Sequence, residues 1–117
     1  MQPNLYLIND DEPRQFTARK LTIIRDDVRV DQKPGIVVRI DPPIDQAAGG
    51  PLATALLVPR HRDIGIQDLR QGRMPKPVSV FVCRLRGEPH ELGGELTGND
   101  VSIAFWGLVN NVLDSGR

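Results

Sequence analysis

Apolar and polar positions along this chain alternate in short runs, most of them strand-length. Asn4-Leu5-Tyr6-Leu7-Ile8 is a brief apolar run stopped by Asn9-Asp10-Asp11-Glu12-Pro13, which predicts a strand followed by a turn. From Gln15 to Ile24, Phe16, Ala18, Lys20 and Thr22 fall on one face and Thr17, Arg19, Leu21 and Ile23 on the other. That alternation is imperfect and predicts a bulge or bend near Arg19-Lys20. Val28-Arg29-Val30 reads as a short strand, Gln32-Lys33-Pro34-Gly35 as a turn, and Ile36 to Ile40 as a β-branched strand ended by Asp41-Pro42-Pro43. Residues 25–41 thus predict a β-hairpin, with Pro fixing φ and Gly supplying a positive φ in the turn.

Residues 42–51 predict a loop. Leu52 to Pro59 is apolar and bounded by prolines, which favours a strand. Gln67 to Gly72 can form a single helical turn, so a short helix is expected near residues 66–72, with Gly72 at the left-handed cap position. Val78 to Leu85 is the best central strand: Val78, Val80 and Val82 lie on one side, and Phe81, Cys83 and Leu85 on the other. Gly87-Glu88-Pro89 is a turn, and His90 to Leu96 suits an edge strand broken by Gly93-Gly94.

Residues 101–114 support two readings. As a helix capped by Asp100, Val101, Phe105, Leu108 and Val112 form one stripe. As a strand, Val101, Ile103 and Phe105 alternate with Ser102, Ala104 and Trp106. The helix is the preferred reading of the two, because the second half of the segment does not alternate cleanly. The pattern as a whole predicts one mainly β domain over residues 1–117. Its expected form is a small antiparallel barrel or sandwich of about six or seven strands.

Composition fits this picture. With 117 residues, 39% hydrophobic and 26% charged, the chain is long enough to close one core and too apolar for a disordered tract. No apolar run approaches the roughly 20 residues of a membrane helix, and the N-terminus lacks the pattern of a secretory signal. The single cysteine, Cys83, agrees with a reducing compartment, so a cytoplasmic location is expected. Its place in an apolar strand predicts a buried, structural thiol.

The net charge is zero but unevenly spread. Residues 60–86 carry seven Lys and Arg against two acids, whereas residues 87–117 carry one Arg against five acids. Basic and acidic stretches can therefore pair within a molecule or between copies. A dedicated nucleic-acid binder is more often basic throughout.

The densest reactive and cationic group is Val58-Pro59-Arg60-His61-Arg62-Asp63, followed by Arg70, Arg73 and Lys76. Arginine forks bind phosphate or carboxylate oxygens, and in an extended segment His61 and Asp63 share a side, so the carboxylate could orient the imidazole. An exposed strand end whose charges pair locally accounts for the same residues. Two distant histidines and one cysteine do not supply zinc-ligand spacing, and Gly49-Gly50-Pro51 lacks the lysine of a phosphate loop. No metal or cofactor is therefore expected. Tyr6, Phe16, Phe81, Phe105 and Trp106 all sit in apolar runs and none lies near Arg60 in sequence, so stacking platforms for bases are not expected there. Arg14, Arg19 and Asp100-Val101-Ser102 lack the tight arginine pair, and the glycine after the serine, of a cyclic-dinucleotide-binding barrel.

These observations lead to a non-enzymatic binding or assembly module. Its basic 60–76 segment (Arg60, His61, Arg62, Asp63, Arg70, Arg73 and Lys76) is expected to contact an acidic protein surface or a second copy of the chain. A homo-oligomer through the apolar C-terminal stripe with Trp106 is also expected. A nucleotide- or phosphoester-processing enzyme using His61 and Asp63 is the first alternative. Weak binding to a nucleic-acid backbone is the second.

Overall fold

A computed structural model describes residues 5–9, 18–45, 49–61, 69 and 77–110. Seven strands follow in chain order: β1 (Leu5–Asn9), β2 (Ala18–Val30), β3 (Lys33–Ile44), β4 (Leu52–Pro59), β5 (Val78–Leu85), β6 (Glu95–Leu96) and β7 (Val101–Asn110). They form one sheet in the order β1-β7-β5-β4-β3-β2-β6. Because β1 also pairs with β2, the sheet curls until its two sides share that strand, giving a small barrel-like fold. Every pairing in this ring is antiparallel; only the two-residue β6 runs parallel, against Arg29 and Val30.

Period-two alternation sorts side chains between two cores. Inside the curl lie Leu21 and Ile23 of β2, Ile36, Val38 and Ile40 of β3, Ala55 and Leu57 of β4, and Val78, Val80 and Val82 of β5. The opposite face carries Val37, Leu56, Val58 and Cys83, packed against Val28, Val30 and Leu96. A sheet buried on both faces needs a second cover, and here two segments supply it. One is the tip of the β2–β3 hairpin. The other is residues 86–100, held by Arg29 N–H to Gly94 O (2.8 Å), Asp31 N–H to Leu96 O (3.2 Å) and Arg86 N–H to Asp100 O (2.9 Å).

The hairpin expected over residues 25–41 is present, with its turn shifted. Asp31 and Gln32 take φ of 48° and 70°, the pair of positive values a two-residue hairpin of matching twist requires. Lys33, Pro34 and Gly35 are already strand. The irregularity expected near Arg19-Lys20 falls between Ile23 and Val28 instead, where β2 slips register twice and continues as one long strand. This bend carries Val28 and Val30 to the outer core.

The C-terminal helix is overturned: Val101 to Asn110 is strand β7, paired with β5 along its length and with β1 at its end. A register shift opposite Val82/Cys83 explains the broken alternation that had favoured the helix. That shift lets Phe105 pack against the inner core, Val101 against the outer core, and Trp106 stand opposite Phe81. His90 to Leu96 is only partly strand, since Pro89–Glu91 forms a turn of 3-10 helix before β6. Of residues 66–72 only Leu69 is described; it is helical and fully buried against the inner core.

Candidate binding groove

β4 ends at Pro59, and Arg60 leaves the sheet there with its N–H donating to Ser79 O (3.0 Å). Its guanidinium turns back over the outer face. Nη1 donates to Ser79 Oγ (3.2 Å), and the carbon of the fork lies 4.5 Å from the Trp106 ring centroid and 5.5 Å from that of Phe81. The rings are adjacent because Phe81 pairs with Val58 on one side and with Trp106 on the other. Attraction between a guanidinium and two ring faces fixes an otherwise exposed side chain, by about 0.5–1 kcal/mol at such a site.

One side-chain row further along lie Leu56, Cys83 and Ile103, again cross-strand partners. Between these rows and the folded-over hairpin is a cavity of about 420 Å³ lined by Val30, Val58, Phe81, Cys83, Val101 and Ile103, with Asp31, Lys33 and Gly98 at its rim. Ile103 is 63% exposed, unusual for an isoleucine in mid-strand. A second hollow of about 420 Å³ adjoins the first and shares Asp31, Lys33 and Val58 with it; Gln32, Pro34, Pro59, Arg60 and His61 complete its wall. The two form one groove with an apolar half and a polar half. The polar half holds Lys33 and Arg60 against Asp31, and among the described residues no carboxylate forms an ion pair with either cation.

Cys83 lines the apolar half with its side chain almost wholly buried, and burial pushes its thiol up to about 11. A thiol so disfavoured as thiolate is a wall of the groove rather than a nucleophile. Among the described residues there is no cluster of His, Cys, Asp and Glu able to hold a metal ion, and no helix long and apolar enough to cross a membrane.

Of the residues singled out in the sequence, Arg60 and His61 come together at the polar end of the groove, both exposed. Arg62, Asp63, Arg70, Arg73 and Lys76 lie outside the described residues. Sequence reading missed the groove's other half. Phe81, Cys83 and Ile103 pass for core in an apolar run, and Trp106 for part of a helical stripe. Only the pairing of β5 between β4 and β7 brings them beside Arg60. The alternation of Phe81, Cys83 and Leu85 opposite the valines was the available signal, since it marks a second buried face.

Compared with known proteins, the chain matches no family model, no curated sequence and no solved structure.

Proposed function

We propose that this protein is a non-enzymatic binding or assembly module whose groove takes an acidic segment of a protein partner. The observation that carries the reading is Arg60, held open over Trp106 and Phe81 beside an apolar cavity. Pre-ordering a cation on aromatic rings lowers the side-chain entropy lost when a carboxylate docks. A guanidinium fork offers that carboxylate paired donors. Residues 87–117, rich in acids, make a second copy of the chain one partner of suitable charge, which supports a homo-oligomer. The single, buried cysteine supports a reducing, cytoplasmic setting.

Enzymatic use of His61 and Asp63 has less support, since His61 stands exposed on the rim and the apolar half is lined mostly by aliphatic and aromatic side chains. For nucleic-acid backbone binding, Arg60 covers the faces of the rings on which bases would stack.

Titration of wild type and Arg60→Ala with acidic peptides, nucleotides and oligonucleotides tests the reading, with solution mass measured alongside. Acidic peptides are expected to bind, and to weaken about tenfold, the equivalent of one lost charge-assisted contact, in Arg60→Ala. Binding confined to oligonucleotides, falling steeply with salt, would replace it with the nucleic-acid reading.

A further inference from the structure

We infer that the groove reads a spaced pair in an extended peptide: an acidic residue and a large apolar one two positions apart. This rests on the acidic-partner reading above and specifies its occupant. The spacing follows from the sheet. Arg60 lies over the row formed by Val58, Phe81 and Trp106, while the apolar cavity opens over the next row, where Cys83 pairs with Ile103. Adjacent rows on one face are two residues apart along a strand, about 6.6–6.8 Å. Alternate side chains of an extended peptide repeat at the same distance and point to the same side. A peptide running along β5 thus sets its carboxylate on the Arg60 fork while its side chain two residues away enters between Phe81, Cys83 and Ile103.

The charges at the polar end favour an acidic partner. Lys33 and Arg60 line it with Asp31, so a carboxylate brings the site to balance. The cavity, about 420 Å³, lies within the range for small ligands and exceeds the volume of any single apolar side chain, so leucine, isoleucine and phenylalanine all fit.

The test uses three otherwise alanine- and serine-based peptides, carrying Glu and Leu adjacent, two apart, or four apart. Fluorescence of Trp106, the single tryptophan, reports on occupancy from beneath Arg60. The two-apart peptide is expected to bind about tenfold more tightly than the others. Gly98→Leu supplies the control: a Cβ at Gly98 meets nothing within 4 Å, so the larger side chain fills the cavity mouth without disturbing the fold. Gly98→Leu should erase the preference for spacing while leaving the circular dichroism and melting temperature of the wild type. Equal binding of all three peptides, still dependent on Arg60, overturns the spaced-pair inference and leaves the acidic-partner reading standing. No binding by any acidic peptide overturns both.

Discussion

Arg25 Nη1 lies 2.7 Å from the carbonyl oxygen of Pro89, sixty-four residues further along the chain. The same nitrogen donates to Leu92 O at 2.8 Å, while Nε and Nη2 clasp both oxygens of Asp27, each at 2.9 Å. One guanidinium thus closes the bend of β2 and fastens the covering segment to it. Charged hydrogen bonds to part-buried carbonyls contribute about 1.5–3 kcal/mol each, and these two share one donor. Arg25→Met should therefore cost about 2 kcal/mol, read as a lower urea midpoint with an unchanged slope. Arg25→Lys should recover little of it, because one ammonium cannot hold two carbonyls and a bidentate carboxylate together.

The same pair sets a pH dependence. Hydrogen bonding from Arg25 holds the Asp27 carboxyl below its ordinary range. A depressed folded-state value means the contribution is whole above the unfolded value, about 3.9, and is lost as pH falls through the folded value. Wild type should melt above Asp27→Asn at pH 6, and the gap should narrow as pH falls below about 4. A gap that does not narrow as pH falls below about 4 would show that Asp27 acts through something other than its charge.

Gly35 is the tightest approach in the outer core. A Cβ built there would stand 2.8 Å from Leu56 Cδ1 and 3.1 Å from the backbone oxygen of Leu57. Leu56 can turn aside only into a packed layer, and the carbonyl belongs to the β3–β4 ladder. Gly35→Ala should destabilise by about 1–3 kcal/mol, the usual range for overpacking, and lower the melting temperature accordingly. The open rim position Gly98, substituted the same way, should change neither.

The strands were legible because their signal is local. Leu52 to Pro59 is bounded by prolines and Val78 to Leu85 carries its own alternation, and the structure keeps both as strands. β7 was read as a helix because its inside-outside order breaks at a bulge, and a bulge is decided by the partner strand, which no local pattern encodes. The hairpin turn was misplaced for a related reason. Pro-Gly is a strong turn signal, yet Gly35 is needed where Leu56 and Leu57 come close, so the turn falls on Asp31-Gln32 despite the positive φ both must adopt. At the groove, Arg60 and His61 stood out as charges in sequence. Trp106 and Ile103 could not, because their place beside Arg60 depends on β5 lying between β4 and β7.

Cys83 offers a probe of the groove wall that separates burial from reactivity. Its side chain is 3% exposed, and its raised pKa of about 11 leaves roughly one thiolate in a thousand at pH 8. Alkylation of the native protein by iodoacetamide at that pH should therefore be slow, with so little thiolate present and so little of the residue exposed. In 6 M guanidinium the same thiol should react at the rate of a free cysteine. Substitution adds a second reading of the site. Cys83→Ala removes one buried atom from the row between Leu56 and Ile103 and should cost about 1 kcal/mol. Cys83→Ser keeps the shape on a smaller scale but buries a hydroxyl among Phe81, Val58 and Val101, and should cost about 1–3 kcal/mol. Serine more destabilising than alanine identifies an apolar wall. The reverse order would mean that the hydroxyl finds a partner there, and the groove would then be polar at its floor and unsuited to an apolar side chain.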